Sequence, residues 1–288
     1  NGKPLTREQW ASFPGNPFPD ALKSSMPGEV VFKLISEHNR LSDWAAWADP
    51  ESKALDISVH EFLRQQGLSD EAIRLANDVS PYYGRNAYDV SALMLEFSDG
   101  WVKTQYDMGS QAFAVRGGNI QLPIAMANLL KGDVLLGKEV IAIESGDTEA
   151  VVHCRDGSRF TAGKVVSSLP FSALRHVKIM PGLSGAQARA VASLPYQPLS
   201  MVFLTATSPF WEEDKLPPAM WTVDAVGTVI PQRFGRTIDE ITGFLVQFRG
   251  ESAHYWDRLG PELAMQRVVA QIEEMRPAAK GKLRARRY

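Results

Sequence analysis

Between Gln121 and Leu130 the apolar residues Leu122, Ala125, Met126, Leu129 and Leu130 recur at helical spacing. That pattern predicts an amphipathic helix with one apolar face. Gly117-Gly118 precede it, a pair that can take backbone conformations closed to other residues and let a ligand approach the main chain. Gly132 follows and stops the helix. Val134-Leu135-Leu136 and Val140-Ile141-Ala142-Ile143 are runs of strand length rich in β-branched residues. The stretch from Ala114 to Ile143 therefore reads as turn, helix and strand pair. Such a pattern serves either a cofactor site or a plain connection inside an α/β domain.

The first 100 residues read as mainly helical. Prolines at 4, 14, 17, 19 and 27 make the start irregular. Helical patterns follow over 30–41 and 43–48, over 56–67 with Ser58 as cap and Gly67 as stop, over 69–79 and over 87–99. The pattern then changes. Residues 151–162 alternate around Asp156-Gly157 and predict a hairpin. His153 and Cys154 fall on opposite faces of its first strand, so one is expected buried and the other wet. Strands are predicted over 164–170, 199–205, 220–228, 242–248 and the basic tail 280–288. Pro209-Phe210-Trp211 reads as the start of a loop. Helices are predicted over 186–194 and 261–275, the latter with Leu263, Val268, Val269 and Ile272 inward and Gln266 and Glu273 outward. In the tail, Lys280, Lys282, Arg284 and Arg286 share one face, either a solvated strand face or a site for an acidic partner.

With 288 residues, 44% hydrophobic and 22% charged, the chain can build one large or two ordinary cores. A net charge of −2 gives no general case for nucleic acid or an anionic membrane. No apolar run approaches the roughly 18 residues that span a bilayer. A soluble protein, cytoplasmic or exported, is expected. The single cysteine, Cys154, excludes an internal disulfide and a cysteine-rich metal site. His38 and His60 have no second ligand at helical spacing, so no metal is expected. His-Glu-x-x-His, Gly-x-Ser-x-Gly and phosphate-loop motifs are absent from the sequence. Trp10, Trp44, Trp47, Tyr82, Tyr83, Trp101 and Tyr106 are either core contacts or the lining of an apolar pocket.

The order of several short motifs resembles the flavin-containing amine oxidases, the family of monoamine, polyamine and L-amino-acid oxidases. The motifs are Arg116-Gly117-Gly118-Asn119, Leu122-Pro123, Asp133-Val134-x-Leu136 and Val140-x-Ala142-Ile143. The Asp-Gly hairpin, Val165-Val-Ser-Ser-Leu-Pro170, Ser208-Pro-Phe-Trp211, Ala253-x-x-Trp256-Asp257 and Arg276-Pro277 complete the series, which spans about residues 100 to 280.

The resemblance implies an α/β (α+β) fold in which part of an FAD domain is interleaved with a helix-plus-sheet substrate domain. Residues 1–114 would be the helical half of the substrate domain, 115–172 an excursion into the FAD domain, and 173–288 the sheet-and-helix half. The cofactor implied is FAD, with Arg116, Gly117, Gly118, Val140, Ser168 and Pro170 beside it. Arg116 would meet a cofactor phosphate or a carboxylate of its own domain. Val140 would act through backbone groups, which any side chain allows. The chain lacks the family's Gly-x-Gly-x-x-Gly and its C-terminal flavin segment, so an internal fragment is expected, with FAD binding dependent on those segments. A gapless count from Trp211 puts Met201 where many members have a lysine that hydrogen-bonds a water near flavin N5. A thioether cannot donate that bond or carry charge, which leaves an oxidase and a dehydrogenase both open. The same count gives Trp221 as a substrate-cavity residue or a buried sheet tryptophan. The implied activity is oxidation of a C–N bond of a small amine or amino acid to an imine. The alternatives are a noncatalytic substrate-domain module, one chain of a processed flavoprotein, or a C–C desaturase or isomerase. The resemblance also allows a homodimer.

Overall fold

The computed structural model describes residues 4–109, 115–223, 226–237 and 239–288, so Ala114 lies outside the described residues. The chain divides into two compact units, one of Asn1–Ala112 with Gln197–Tyr288 and one of Phe113–Tyr196.

The first unit begins with helices α1 (Arg7–Ala11), α2 (Pro27–Glu37), α3 (Val59–Gln65), α4 (Asp70–Ile73) and α5 (Ala92–Asp107). Ser58 caps α3 as expected, its hydroxyl accepting from the Glu61 amide, and Ser69 does the same for α4 at Ala72. A π-helical turn, Arg74–Asp78, continues α4. Val30, Ile35, Val59, Phe62, Leu63 and Ile73 share a core here. Glu96 on α5 is wholly buried and is held by Arg40 at 2.6 Å.

The second unit contains α6 (Gln121–Leu129), then strands β1 (Val140–Ser145), β2 (Ala150–Cys154) and β3 (Arg159–Ala162), α7 (Phe171–Leu174), β4 (Lys178–Met180) and α8 (Gly185–Ser193). The sheet order is β3-β2-β1-β4, with β1 and β4 parallel. Helix α6 forms where periodicity places it, yet none of its residues is buried. Residues 134–136 and 164–170 are not strands. A strand needs a neighbour for its backbone groups, and no described strand pairs with either run. Their apolar residues stay exposed, Leu136 at 86% and Val166 at 93%. Cys154 is buried, but His153 is not simply wet. Its side chain is 20% exposed, with Nε2 3.2 Å from Glu144 Oε1. That is close enough for attraction but lacks hydrogen-bond geometry.

The first unit resumes with β5 (Leu199–Ala206), α9 (Phe210–Glu213), β6 (Met220–Trp221), β7 (Thr228–Gln232), β8 (Gly243–Arg249), α10 (Glu251–Asp257), α11 (Pro261–Met275) and β9 (Leu283–Arg287). The antiparallel sheet runs β6-β7-β8-β5-β9. Two expectations change here. Phe210-Trp211 opens a short helix rather than a loop, because Phe210 is buried against Phe244. Met220–Trp221 and Thr228–Gln232 are two antiparallel strands rather than one: the Thr222 amide and hydroxyl both donate to the Gly227 carbonyl at 2.9 Å.

Strict alternation gives this sheet two faces. Val202, Leu204, Val229, Phe244, Val246 and Phe248 are buried in one core with Trp256 of α10 and Ala264, Val268 and Ile272 of α11. Helix α11 has the expected bounds, although Leu263 is 40% exposed. Each such buried aliphatic side chain is worth about 1.5–3 kcal/mol relative to exposure. Arg276 closes this core. Its side chain is 1% exposed, stacks 4.9 Å from the Phe210 ring, and pairs with Asp214 at 2.6 Å.

Candidate functional site

The other face of that sheet carries the candidate site. Register sets Trp221 opposite Thr228, Thr228 opposite Gln247, and Gln247 opposite Met201. Directly opposed residues of antiparallel strands project to the same side. These four therefore form one row across β6, β7, β8 and β5. Ile230, Leu245 and Phe203 form the next row, and Arg249 stands opposite Leu199 in the row on the other side.

A cavity of about 240 Å³ lies over this face, within the first unit. Trp221, Thr228, Ile230, Gln247 and Arg249 line it from the sheet. Val31 and Phe32 of α2, Ala76 and Asn77 of the π-helical turn, and Ser80, Tyr82 and Tyr83 line it from the helical segment. The 80–85 loop is held in place by several contacts. Gln197 Nε2 donates to the carbonyls of Pro81 and Gly84, at 2.9 and 2.6 Å. Gly250, at φ 62°, lets the end of β8 approach that loop: a Cβ there would stand 3.1 Å from Pro81 and 3.2 Å from the Arg85 carbonyl. Ser80 and Thr228 hydroxyls lie 3.4 Å apart.

Arg249 is the cavity's one ionised group among the described residues. Its Nη1 donates to the Tyr82 carbonyl at 3.2 Å, its Nη2 to Gln247 Oε1 at 2.8 Å, and its guanidinium sits 4.5 Å from the Tyr82 ring centre. Burial pulls the guanidinium below its usual range, while the Tyr82 and Tyr83 phenols push it the other way. It remains a cation at any working pH. The lining contains no Asp, Glu, His or Lys. Its side chains can orient a ligand and exclude water, but they offer no acid–base pair.

Of the aromatic residues singled out in the sequence, Tyr82 and Tyr83 line the cavity together with Trp221. Trp10 packs against Phe13 and Phe18, Trp44 and Trp47 pack on Phe97, and Trp101 and Tyr106 are exposed. Met201 is half-buried in the row that includes Trp221. No group of three or more His, Cys, Asp or Glu residues suited to a metal occurs among the described residues. No helix among them is long and apolar enough to cross a membrane. Gln247 and Arg249 were not singled out from the sequence. The signal was present, since the alternation of Gly243–Arg249 puts both opposite Phe244, Val246 and Phe248.

The second unit holds the remaining candidates. Gly117 and Gly118 have φ of 84° and 91°, and the space where a Gly118 Cβ would stand is open. The Gly118 amide closes a turn onto the Val115 carbonyl at 2.9 Å. Arg116 is exposed beside it. Val140 opens β1 opposite Cys154, next to a register shift between Val140 and Ala142. Ser168 and Pro170 are exposed in the coil before α7, and the Pro170 carbonyl accepts from the Ala173 and Leu174 amides. Positive-φ glycines, accessible main chain and an exposed guanidinium suit a nucleotide cofactor with a pyrophosphate.

A mixed fold with these features is compatible with a nucleotide-cofactor enzyme, and comparison with known proteins gives the family. The family model described as flavin containing amine oxidoreductase matches residues 4–286. The chain belongs to that family, whose cofactor FAD the candidate residues of the second unit fit. Cyclohexylamine oxidase from Brevibacterium oxydans shares the fold, with a TM-score of 0.68 at 20% identity over 96% of this chain and 62% of that one. An L-glutamate oxidase precursor of Streptomyces viridosporus is 29% identical over 65% of this chain and 30% of its own length. A histone demethylase-like protein A of Aspergillus fumigatus is 29% identical over 58% of this chain and 17% of its own. The chain thus spans less than a third of these two curated relatives and under two thirds of the solved structure.

Proposed function

We propose that the chain is the substrate-binding part, with a portion of the cofactor domain, of an FAD-dependent oxidoreductase that oxidises the C–N bond of an amine or amino acid to an imine. The observation that carries this is the cavity of the first unit: lined mainly by aromatic, aliphatic and neutral polar side chains, with no Asp, Glu, His or Lys, in a chain of a flavin-containing family. Such a lining suits a reaction whose electrons leave for a cofactor while the protein supplies orientation and dryness. FAD, when bound, supplies the hydride acceptor.

Arg116 and the Gly117-Gly118 main chain face the cofactor's charged portion, the backbone of Val140 its nucleotide end, and Ser168 and Pro170 the coil beside it. Residues 115–172 then belong to the FAD domain together with 173–196, whose strand β4 pairs with β1, and the first unit, with Gln197–Tyr288, to the substrate domain. Trp221, Tyr82 and Tyr83 surround the substrate's apolar part. Displacing water from this lining favours the neutral amine over ammonium, because a charge is costly to hold without full hydration. Met201 occupies the position at which many relatives carry lysine, and it cannot order a water by donation. This favours an electron acceptor other than oxygen. The test is anaerobic addition of amines and amino acids to the flavin-loaded protein, watching the visible flavin band. Bleaching by at least one of them is expected. A protein that holds flavin and is reduced by none contradicts the proposal. In the Met201→Lys variant, faster reoxidation by oxygen is expected, with reduction by substrate changed less.

A further inference from the structure

We propose that Arg249 forms an anion subsite in the cavity that receives the carboxylate of the substrate, so that the substrate is an α-amino acid rather than a plain amine. This rests on the cavity being the substrate site. The first observation is the contrast among arginines drawn into the interior of the first unit. Arg276 is paired with Asp214 and Arg40 with Glu96, each at 2.6 Å. Arg249 is half-buried and pairs with no carboxylate among the described residues. Burying a cation without an opposite charge costs free energy, and the lowered proton affinity of this guanidinium is the same cost seen from the proton's side. An incoming carboxylate would offset it.

The second observation is that Arg249 is fixed without being satisfied. The Tyr82 carbonyl, the Tyr82 ring and Gln247 Oε1 hold the guanidinium plane. The two hydrogen bonds use two of its five N–H donors, and the geometry of the rest matches a carboxylate. The third is placement. Arg249 lies two residues along β8 from Gln247, on the same face, and Gln247 stands opposite Met201. A ligand anchored at Arg249 therefore extends along the sheet towards the Met201 row, with Trp221 beyond it in register.

Isothermal titration of the protein as it stands separates this inference from the oxidation chemistry. Hydrocinnamate and its neutral amide have the same shape and differ in charge. L-phenylalanine and phenethylamine differ only by the carboxylate. A charge-assisted pair makes the carboxylate form of each bind about 10- to 100-fold more tightly. Arg249→Met should abolish that preference while phenethylamine binding persists, and Arg249→Lys, which keeps the charge but loses the planar fork, should retain part of it. If Arg249→Met fails to fold, Arg249→Gln takes its place. Equal binding of hydrocinnamate and its amide overturns the subsite, as does a preference that survives loss of the cation or no binding of any probe. A carboxylate preference in a flavin-loaded protein that no amine or amino acid reduces would leave the subsite standing and remove the proposed oxidation.

Discussion

Helices α6 and α11 look alike in sequence and differ in fate. Both place apolar residues at helical spacing, and both form. Helix α11 buries Ala264, Val268 and Ile272 against a sheet face made of Val202, Val246 and Phe248. Helix α6 buries nothing, and Leu122, Met126, Leu129 and Leu130 are each at least 60% exposed. Periodicity therefore states which face wants a partner, not whether the partner is in the same stretch of chain. The first unit contains both sides of its core; in the second, the apolar side of α6 has no described neighbour.

The largest expected effect lies where that contrast is strongest. Asp214→Ala leaves the buried Arg276 guanidinium without its partner and should cost about 3–5 kcal/mol, read by urea denaturation. Next comes the comparison of the two helices. Ile272→Ala should cost about 2–5 kcal/mol, whereas Leu129→Ala should stay within about 0.5 kcal/mol. Comparable losses at both sites would show that α6 is buried in solution. A smaller effect is expected from acid. Burial opposes the ionised form of Asp214, but the Arg276 hydrogen bonds, the Leu216 amide and the Arg276 charge outweigh it and hold the carboxyl below its usual range. The unfolded chain then binds that proton first, so the contribution is complete above the usual carboxylate range. It is lost as pH falls below that range, through the lower folded value. In Asp214→Asn the acid-side decline of the midpoint should be shallower than in the wild type. The smallest effect is expected in the second unit, at the exposed Arg155–Glu139 pair. Glu139→Gln should leave the denaturation midpoint unchanged, since solvent screens such pairs.

How much was legible in the sequence follows the same division. Local signals worked wherever the partner is local: Ser58 capping α3, the Asp156-Gly157 hairpin, and α11 with its bounds. The runs 134–136 and 164–170 have strand composition but no strand to pair with, and composition alone cannot supply one. Met220–Trp221 and Thr228–Gln232 are separate strands because the Thr222 amide and hydroxyl both bond the Gly227 carbonyl, a contact that alternation does not register. The cavity was hardest to foresee. Arg249 and Tyr82 meet across 167 residues of sequence, and no periodicity along one strand shows that the two belong together. Trp221 could be placed only by counting along a family resemblance, while the row it shares with Thr228, Gln247 and Met201 emerges from strand register.

The central claim is that this cavity is where the substrate sits. A crystal structure of the protein with L-phenylalanine, prepared without oxygen, tests it most directly. The account predicts the ligand in the cavity, its ring among Trp221, Tyr82 and Tyr83 and its carboxylate on Arg249. Ligand ordered elsewhere in the protein, with this cavity unfilled, would contradict it.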